Sequence, residues 1–344
     1  MRTVSWKNGK ILLIDQTKIP HQFEIIETDN IERVATAIRL LEVRGAPAIG
    51  VTAAYAMALA AFQTKANTTQ AILNDMETVH RFLAATRPTA TNLFWALDHM
   101  LDFAKNYLKD KKDGLAEAML SEAERMADED VTINKRLAEI GAELIPDGAV
   151  IMTHCNCGPL CAVDLGTAMA PVILAHQQGK RIHVYTDETR PRLQGAKLNA
   201  WELAQAGVPY TLITDNHAAW IMSQKKVDMV MIGVDCVAAN GDTAAKVGVY
   251  GLSVLAHYHH IPFYAVSPTS TINLKIPTGK QIPIEERDPD EVRKVNGSLI
   301  TMPDANVVNY AFDVTPHELI AGIITEYGIA RPPYQPAFES MMQK

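Results

Sequence analysis

Residues 145–160 read "IPDGAVIMTHCNCGPL", and this passage separates two kinds of sequence. The turn Ile145-Pro146-Asp147-Gly148 ends a long helical stretch, because proline and glycine both interrupt a helix. Ala149 to Met152 then forms a short apolar run, the pattern of a buried strand. Downstream, such runs occupy 149–153, 182–186, 209–213, 228–233 and 262–266, with helical stretches near 159–178, 197–206, 215–224 and 242–258. That alternation predicts βαβ units: an α/β fold with a parallel, doubly wound, Rossmann-like sheet. No G-x-G-x-x-G follows the first strand, so a dinucleotide site has no support.

Upstream of the break the grammar differs. Val4, Trp6 and Ile11 to Ile14 flank Asn8-Gly9, a hairpin turn, and "FEIIET" (23–28) adds a third β-like run. From Asn30 the period becomes helical: Ile31, Val34, Ala35, Ile38 and Leu41 share a face, with Asp29 or Asn30 placed to cap it. Further helices are expected at 47–64, 68–85, 91–108 and 114–144, separated by Pro88 and by the solvated turn "KDKKDG" (109–114). Two domains follow, residues 1–145 with a β-hairpin or meander plus helices, and residues 146–344 with the Rossmann-like sheet.

The bulk numbers narrow the function. At 344 residues the chain exceeds one ordinary core. A net charge of −7 argues against nucleic acid or an anionic membrane as the main partner. "MRTVSWKNGK" lacks the apolar core of a signal peptide, and the alanine-rich stretch 46–62 reads as a buried helix, not a membrane span. The 4 cysteines do not make a disulfide framework, so a reducing cytoplasm is expected.

In open α/β sheets, ligands bind outside the carboxyl ends of the strands. The residues expected there are strongly polar: Thr153, His154, Cys155 and Asn156; Asp187 to Arg190, Arg192 and Gln194; Thr214, Asp215 and Asn216; then Asp235, Asn240, Asp242 and Lys246. The cysteines allow three readings. Cys155, Cys157, Cys161 and Cys236 lack the paired knuckles of structural zinc, and C-x-C is not the C-x-x-C of a redox pair. The third reading is a thiol at a helix start, where free amides favour thiolate; Cys155 occupies that place and the other three read as packing residues. His154 either tunes this thiol or is a satisfied near-core histidine. In the helical domain, Arg44-Gly45-Ala46-Pro47 sets a guanidinium beside a helix start, an apt phosphate cradle, and Arg87 lies in a comparable turn.

Taken in order, "VRGAPAIG" (43–50), "TRPTATNLFWAL" (86–97), "THCNCG" (153–158), "ETRPRLQGAKLNAWEL" (188–203), "GVDCVAANGD" (233–242), "PFYAVSPTSTIN" (262–273) and "IPIEERDPDEV" (282–292) resemble the methylthioribose-1-phosphate isomerases of methionine salvage. Ribose-1,5-bisphosphate isomerases, 5-deoxyribose-1-phosphate isomerases and the regulatory subunits of the translation-initiation guanine-nucleotide exchange factor share that superfamily and are the alternatives. The resemblance implies a homodimer acting on a small sugar phosphate, with no metal or nucleotide cofactor. It makes Cys155 and Asp235 the catalytic pair, and Arg44, Gly45, Ala46, Arg87, Gln194, Ala245 and Lys246 the substrate-binding set.

An aldose 1-phosphate cannot open freely, because its anomeric oxygen is esterified. Opening needs an acid at the ring oxygen, coupled to hydrogen transfer from C2 to C1 as a proton or a hydride. Asp235 as that acid must be protonated, so its pKa is expected to rise from about 4 through apolar burial. The chain departs from the family pattern twice. The usual Gly-Ala-Asp-Arg reads Gly233-Val234-Asp235-Cys236, and the usual Asn-Lys of the following helix reads Ala245-Lys246.

Overall fold

The computed structural model describes residues 2–87, 91–111 and 113–343. Pro88, expected to end a helix, lies outside them. The chain forms two compact units. The first holds residues 1–132 and 159–166, and the second holds 133–158 and 167–344. The division falls within the last helix of the first segment, which is unbroken up to Glu143.

In the first unit β1 (Val4–Lys7), β2 (Lys10–Ile14) and β3 (Ile25–Thr28) make an antiparallel meander. The β1–β2 turn is Asn8-Gly9 at φ 51° and 77°, the left-handed pair a two-residue hairpin requires. Helices α1 (Ile31–Arg39), α2 (Ala46–Gln63), α3 (Thr69–Ala84), α4 (Thr91–Asp110) and α5 (Leu115–Glu143) follow. Asn30 caps α1, its side chain accepting the Arg33 N–H at 3.0 Å. Every residue of α2 from Ala48 to Ala61 is buried, so this apolar helix is the axis of a core. Its small side chains admit close neighbours: a Cβ on Gly50 would meet the Asn92 carbonyl of α4 at 3.1 Å.

Residues 159–166 were expected to open a helix. Only Pro159–Cys161 turn, as a short 3₁₀ segment, and α6 begins at Met169. The intervening backbone is bound within the first unit: Thr3 N–H donates to the Val163 carbonyl at 2.8 Å, and Val163 N–H donates to Asp130 Oδ2 at 2.8 Å.

The second unit continues in chain order as β4 (Val150–Thr153), α6 (Met169–Gln177), β5 (His183–Asp187), α7 (Ala200–Gln205), β6 (Tyr210–Ile213), α8 (Ala218–Ser223), β7 (Met229–Gly233), β8 (Cys236–Ala238), β9 (Thr243–Lys246), α9 (Val249–Tyr258), β10 (Phe263–Val266), β11 (Ile272–Asn273), α10 (Asp290–Arg293), β12 (Lys294–Val295), β13 (Ser298–Leu299), β14 (Phe312–Thr315), β15 (Gly322–Thr325), β16 (Gly328–Ala330) and α11 (Tyr334–Met342). Its main sheet runs β16-β15-β10-β7-β4-β5-β6, parallel except for the β15–β16 pair. The side chains alternate between two apolar faces. Met152, Val230 and Ile232 enter one core cluster; Ile151, Met229 and Met231 enter the other. Burial on both sides is why these strands read as continuous apolar runs. A smaller sheet, β11-β8-β9-β14, lies beyond β7 in the chain.

The chain leaves β4 for β5 and β6 on one side and returns to β7, β10 and β15 on the other. The order therefore reverses between β4 and β7, and the carboxyl ends of those two strands flank the topological switch point.

Candidate active site

At the end of β4 the backbone turns sharply. Cys155 is half-buried at φ 68°, and its N–H donates to Thr189 Oγ1 at 2.9 Å. Thr189, beyond β5, is itself at φ 64°, an uncommon conformation for a β-branched residue. It is held there by Asp215, whose two carboxylate oxygens accept the N–H groups of Thr189 at 2.7 Å and Arg190 at 2.8 Å. The Thr189 hydroxyl donates to the Asp187 carbonyl at 3.2 Å. Two left-handed residues bonded to each other mark stored strain of about 1–3 kcal/mol each, a pattern that clusters at functional sites.

This geometry corrects the expected setting of Cys155. The thiol does not sit at a helix start, since the next α-helix begins fourteen residues later at Met169. Cys157 and Cys161 are buried, as packing residues should be. Cys157 Sγ accepts the Gly233 N–H at 3.2 Å, tying the β4 loop to the end of β7. Burial and the adjacent Asp235 push the Cys236 thiol up to about 11. Among the described residues, the groupings with metal-ligand spacing are His154–Asp187–Asp215 and Asp242–His317–Glu318, and neither contains a cysteine.

Asp235 follows β7, and its N–H donates to the Ala244 carbonyl at 2.9 Å. It is exposed, so the apolar burial expected to protonate it is not present around it. Ala245 and Lys246 lie on strand β9, not on a helix as the sequence suggested. Alanines at 244 and 245 read as helical, but pairing with β8 and β14 decides the outcome, and α9 starts only after Gly248 at φ 107°. Ala245 is fully buried in the core, while Lys246 is half-buried with Nζ 4.7 Å from the Phe312 ring centroid. Gln194 is 7% exposed, and its Oε1 has no hydrogen-bond partner among the described residues. A π-helical turn, Gly195–Asn199, follows it, an irregularity frequent at functional sites. Cys155 and Asp235 thus follow the ends of β4 and β7, Gln194 lies in the segment after β5, and Lys246 ends β9.

Arg44, Gly45 and Ala46 lie in the first unit. Gly45 precedes α2 at φ 92° with no side-chain cap, leaving first-turn amides of an 18-residue helix for an anion. Gly45 is obligatory, because a Cβ there would stand 2.1 Å from the Cys161 carbonyl oxygen. Arg87 is half-buried just after α3.

Sequence reasoning gave no role to Asp187, Thr189, Asp215 or Asp313. The first three stood among the polar residues at strand ends, which was their signal. Asp313 gave none: it caps α9 from β14, accepting Gly248 N–H at 2.7 Å and Tyr250 N–H at 3.0 Å.

The loop after β5 is pinned by ions. Glu291 accepts from Arg287 at 2.7 Å and Arg192 at 2.7 Å. Burial pushes its carboxyl up, but the two guanidiniums outweigh this and hold it at about 2. Its stabilisation is therefore complete above the ordinary carboxyl value and lost as pH falls toward 2. Glu291→Gln is expected to cost on the order of 2 kcal/mol at pH 7. In urea titrations the gap from wild type should shrink below about pH 4.5, near the ordinary glutamate value.

Comparison with known proteins agrees with this architecture. The model of the initiation factor 2 subunit family matches residues 42–332. A methylthioribose-1-phosphate isomerase of Chloroflexus aurantiacus is 49% identical, with 99% of this chain and 98% of that protein covered. One from Desulforamulus reducens is 46% identical over 97% of this chain and 96% of that protein. The crystal structure of 5-methylthioribose 1-phosphate isomerase from Pyrococcus horikoshii superposes with TM-score 0.94 at 44% identity, covering 99% of this chain and 96% of that one. The structure named translation initiation factor eIF-2B, subunit delta, from A. fulgidus gives TM-score 0.89 at 40% identity, with both chains fully covered. By these matches and by its fold, the chain belongs to the initiation factor 2 subunit family.

Proposed function

We propose that this protein is an aldose–ketose isomerase converting 5-methylthioribose 1-phosphate to 5-methylthioribulose 1-phosphate, a methionine-salvage step, in the cytoplasm. The observation that carries the reading is the location of Cys155 and Asp235 after the two strands flanking the switch point. Relatives of nearly equal length bear the isomerase name.

On this reading Asp235 delivers a proton to the ring oxygen and opens the sugar. Cys155 either removes the C2 proton for return at C1 or stabilises a direct hydride shift. Asp235 is exposed in the chain, so its role as acid requires the bound sugar to shield the carboxyl from water. Gln194 offers its unpartnered Oε1 to a sugar hydroxyl. In the second unit Lys246 offers its cation to the phosphate; Ala245, fully buried in the core, has no proposed contact with the sugar. In the first unit the Arg44–Ala46 turn and Arg87 are the phosphate-binding candidates. Loss of the family's usual arginine next to Asp235 removes a cation that would oppose protonation.

The test is direct. Purified protein and 5-methylthioribose 1-phosphate should give the ketose, seen by carbon NMR. Faster turnover of 5-deoxyribose 1-phosphate would move the substrate; no product from any pentose 1-phosphate would favour a non-catalytic regulatory subunit, the class suggested by the A. fulgidus name.

A homodimer is proposed with it. Tyr250, Val254 and Tyr258 form an exposed stripe along α9, with exposed Trp220 on neighbouring α8. An apolar stripe of this kind suits a second copy of the same chain. Tyr258→Asp is expected to shift the protein to monomer in sedimentation velocity, and an unchanged dimer would exclude this face.

A further inference from the structure

His154 is buried one residue before Cys155, and both its ring nitrogens are engaged. Nε2 lies 3.0 Å from the Val247 carbonyl oxygen, which can only accept, so Nε2 carries a hydrogen. Nδ1 lies 2.8 Å from Asp187 Oδ2. A bare ring nitrogen facing a bare carboxylate would set two acceptors against each other, so one proton lies between them. Written as imidazolium and carboxylate or as imidazole and carboxylic acid, the pair holds the same protons and no net charge.

This pair closes a ring of bonds around the Cys155 backbone. The Asp187 side chain holds His154, and the Asp187 carbonyl accepts from the Thr189 hydroxyl. That hydroxyl in turn accepts the N–H of Cys155, the residue next to His154. On the other side the imidazole is anchored to Val247, the residue after Lys246. The turn there closes tightly on the ring, since a Cβ on Gly248 would stand 2.9 Å from His154 Cε1. The imidazole therefore joins three segments, carrying Cys155, the β5 loop that leads to Gln194, and Lys246.

We propose that the proton shared by His154 and Asp187 positions Cys155 relative to Lys246, and that the site loosens when this proton is lost. The proposal rests on the isomerase reading, in which both are working residues. His154 and Asp187 are positioning residues: neither needs to touch the sugar.

The surroundings favour keeping the proton. Besides Asp187, the charged groups felt by the imidazole are Asp215, from the turn after β6, and Asp313, from β14; Glu188 and Asp215 act on Asp187. All are carboxylates. Burial opposes an imidazolium, but the bond and charge of Asp187 outweigh it and raise His154 above its ordinary value. Burial also raises Asp187. Both directions keep the proton in the pair. Its contribution is full below an unfolded histidine's value of about 6.5 and is lost as pH rises through the pair's own higher value.

The variants separate the proton from the fold. Asp187→Asn presents an amide N–H to Nδ1 while a neutral imidazole still donates from Nε2, so the geometry survives without a titrating proton. It should keep kcat within about threefold of wild type at pH 7, far less than the roughly hundredfold cost of a misplaced group, and lack wild type's alkaline decline. His154→Gln breaks the ring, and kcat should fall on the order of 10–100-fold with KM nearly unchanged. Identical pH profiles for wild type and Asp187→Asn would overturn the proposal. So would ¹⁵N imidazole spectra of the full protein in which His154 titrates as an ordinary histidine, in place of remaining protonated beyond neutral pH. The spectra need no substrate, so their failure is distinct from failure of the isomerase assignment.

Discussion

Asp235→Asn is expected to leave a folded protein that turns over the aldose phosphate on the order of 10²–10⁴-fold more slowly. The side chain is exposed, and the backbone N–H bond to the Ala244 carbonyl is one that asparagine retains. The loss is therefore one of chemistry: an amide cannot deliver a proton to the ring oxygen. Cys155→Ser should bring a loss of similar size, because serine fits the same left-handed backbone but is a far poorer base and less polarisable. Running wild type in deuterium oxide then tests the two hydrogen-transfer routes. Deuterium at C1 of the product marks a proton route; its complete absence requires either a hydride shift or a base that returns the C2 proton without exchange. If either variant keeps wild-type turnover, the residue is not in the machinery, whatever the identity of the substrate.

Much of the fold was legible because burial on both sheet faces writes an unmistakable signal. The runs at 149–153, 182–186, 209–213, 228–233 and 262–266 match β4, β5, β6, β7 and β10 within a residue at either end. Asn8-Gly9 and Asn30 were legible for local reasons, a turn conformation and a cap. What escaped depended on distant partners. The strands β8, β9, β11 and β14 are two to four residues long, and their pairing joins Thr243 to Thr315. Nothing within "GDTAAK" reveals that pairing, so alanine's helical preference misleads there. Residues 162–168 fail to extend a helix because Thr3 and Asp130 bind that backbone. The catalytic candidates could be named from motifs, but not their settings: the exposure of Asp235, the strained backbone of Cys155, or the bond from His154 to Asp187. Each of these is a contact property, and a single sequence records types and spacings only.

Gly195→Ala should be the most damaging single methyl group in the second unit. A Cβ there would lie 1.7 Å from the Asp187 carbonyl oxygen and 2.9 Å from Thr189 Oγ1. The first of these is backbone at the end of β5 and cannot swing aside like a flexible side chain. Either the π-helical turn or the end of β5 must shift. Either way the hydrogen bond from Thr189 to Asp187 is lost, and with it the support of the Cys155 backbone. Overpacking of this kind costs about 3 kcal/mol or more. For a unit of this size that corresponds to a fall in Tm of about 6–12 °C. Because the shift occurs at the site, kcat should fall by about 10²-fold even where the protein stays folded. Gly207→Ala provides the comparison. Gly207 is at φ 69°, and a Cβ there would meet nothing within 4 Å among the described residues, so alanine meets backbone strain alone. That strain costs about 1–2 kcal/mol. Turnover by Gly207→Ala should equal wild type, since no site residue moves. Equal losses of activity in both variants would mean that Gly195 matters only for stability, and the close approach to Asp187 would then carry no weight in the chemistry.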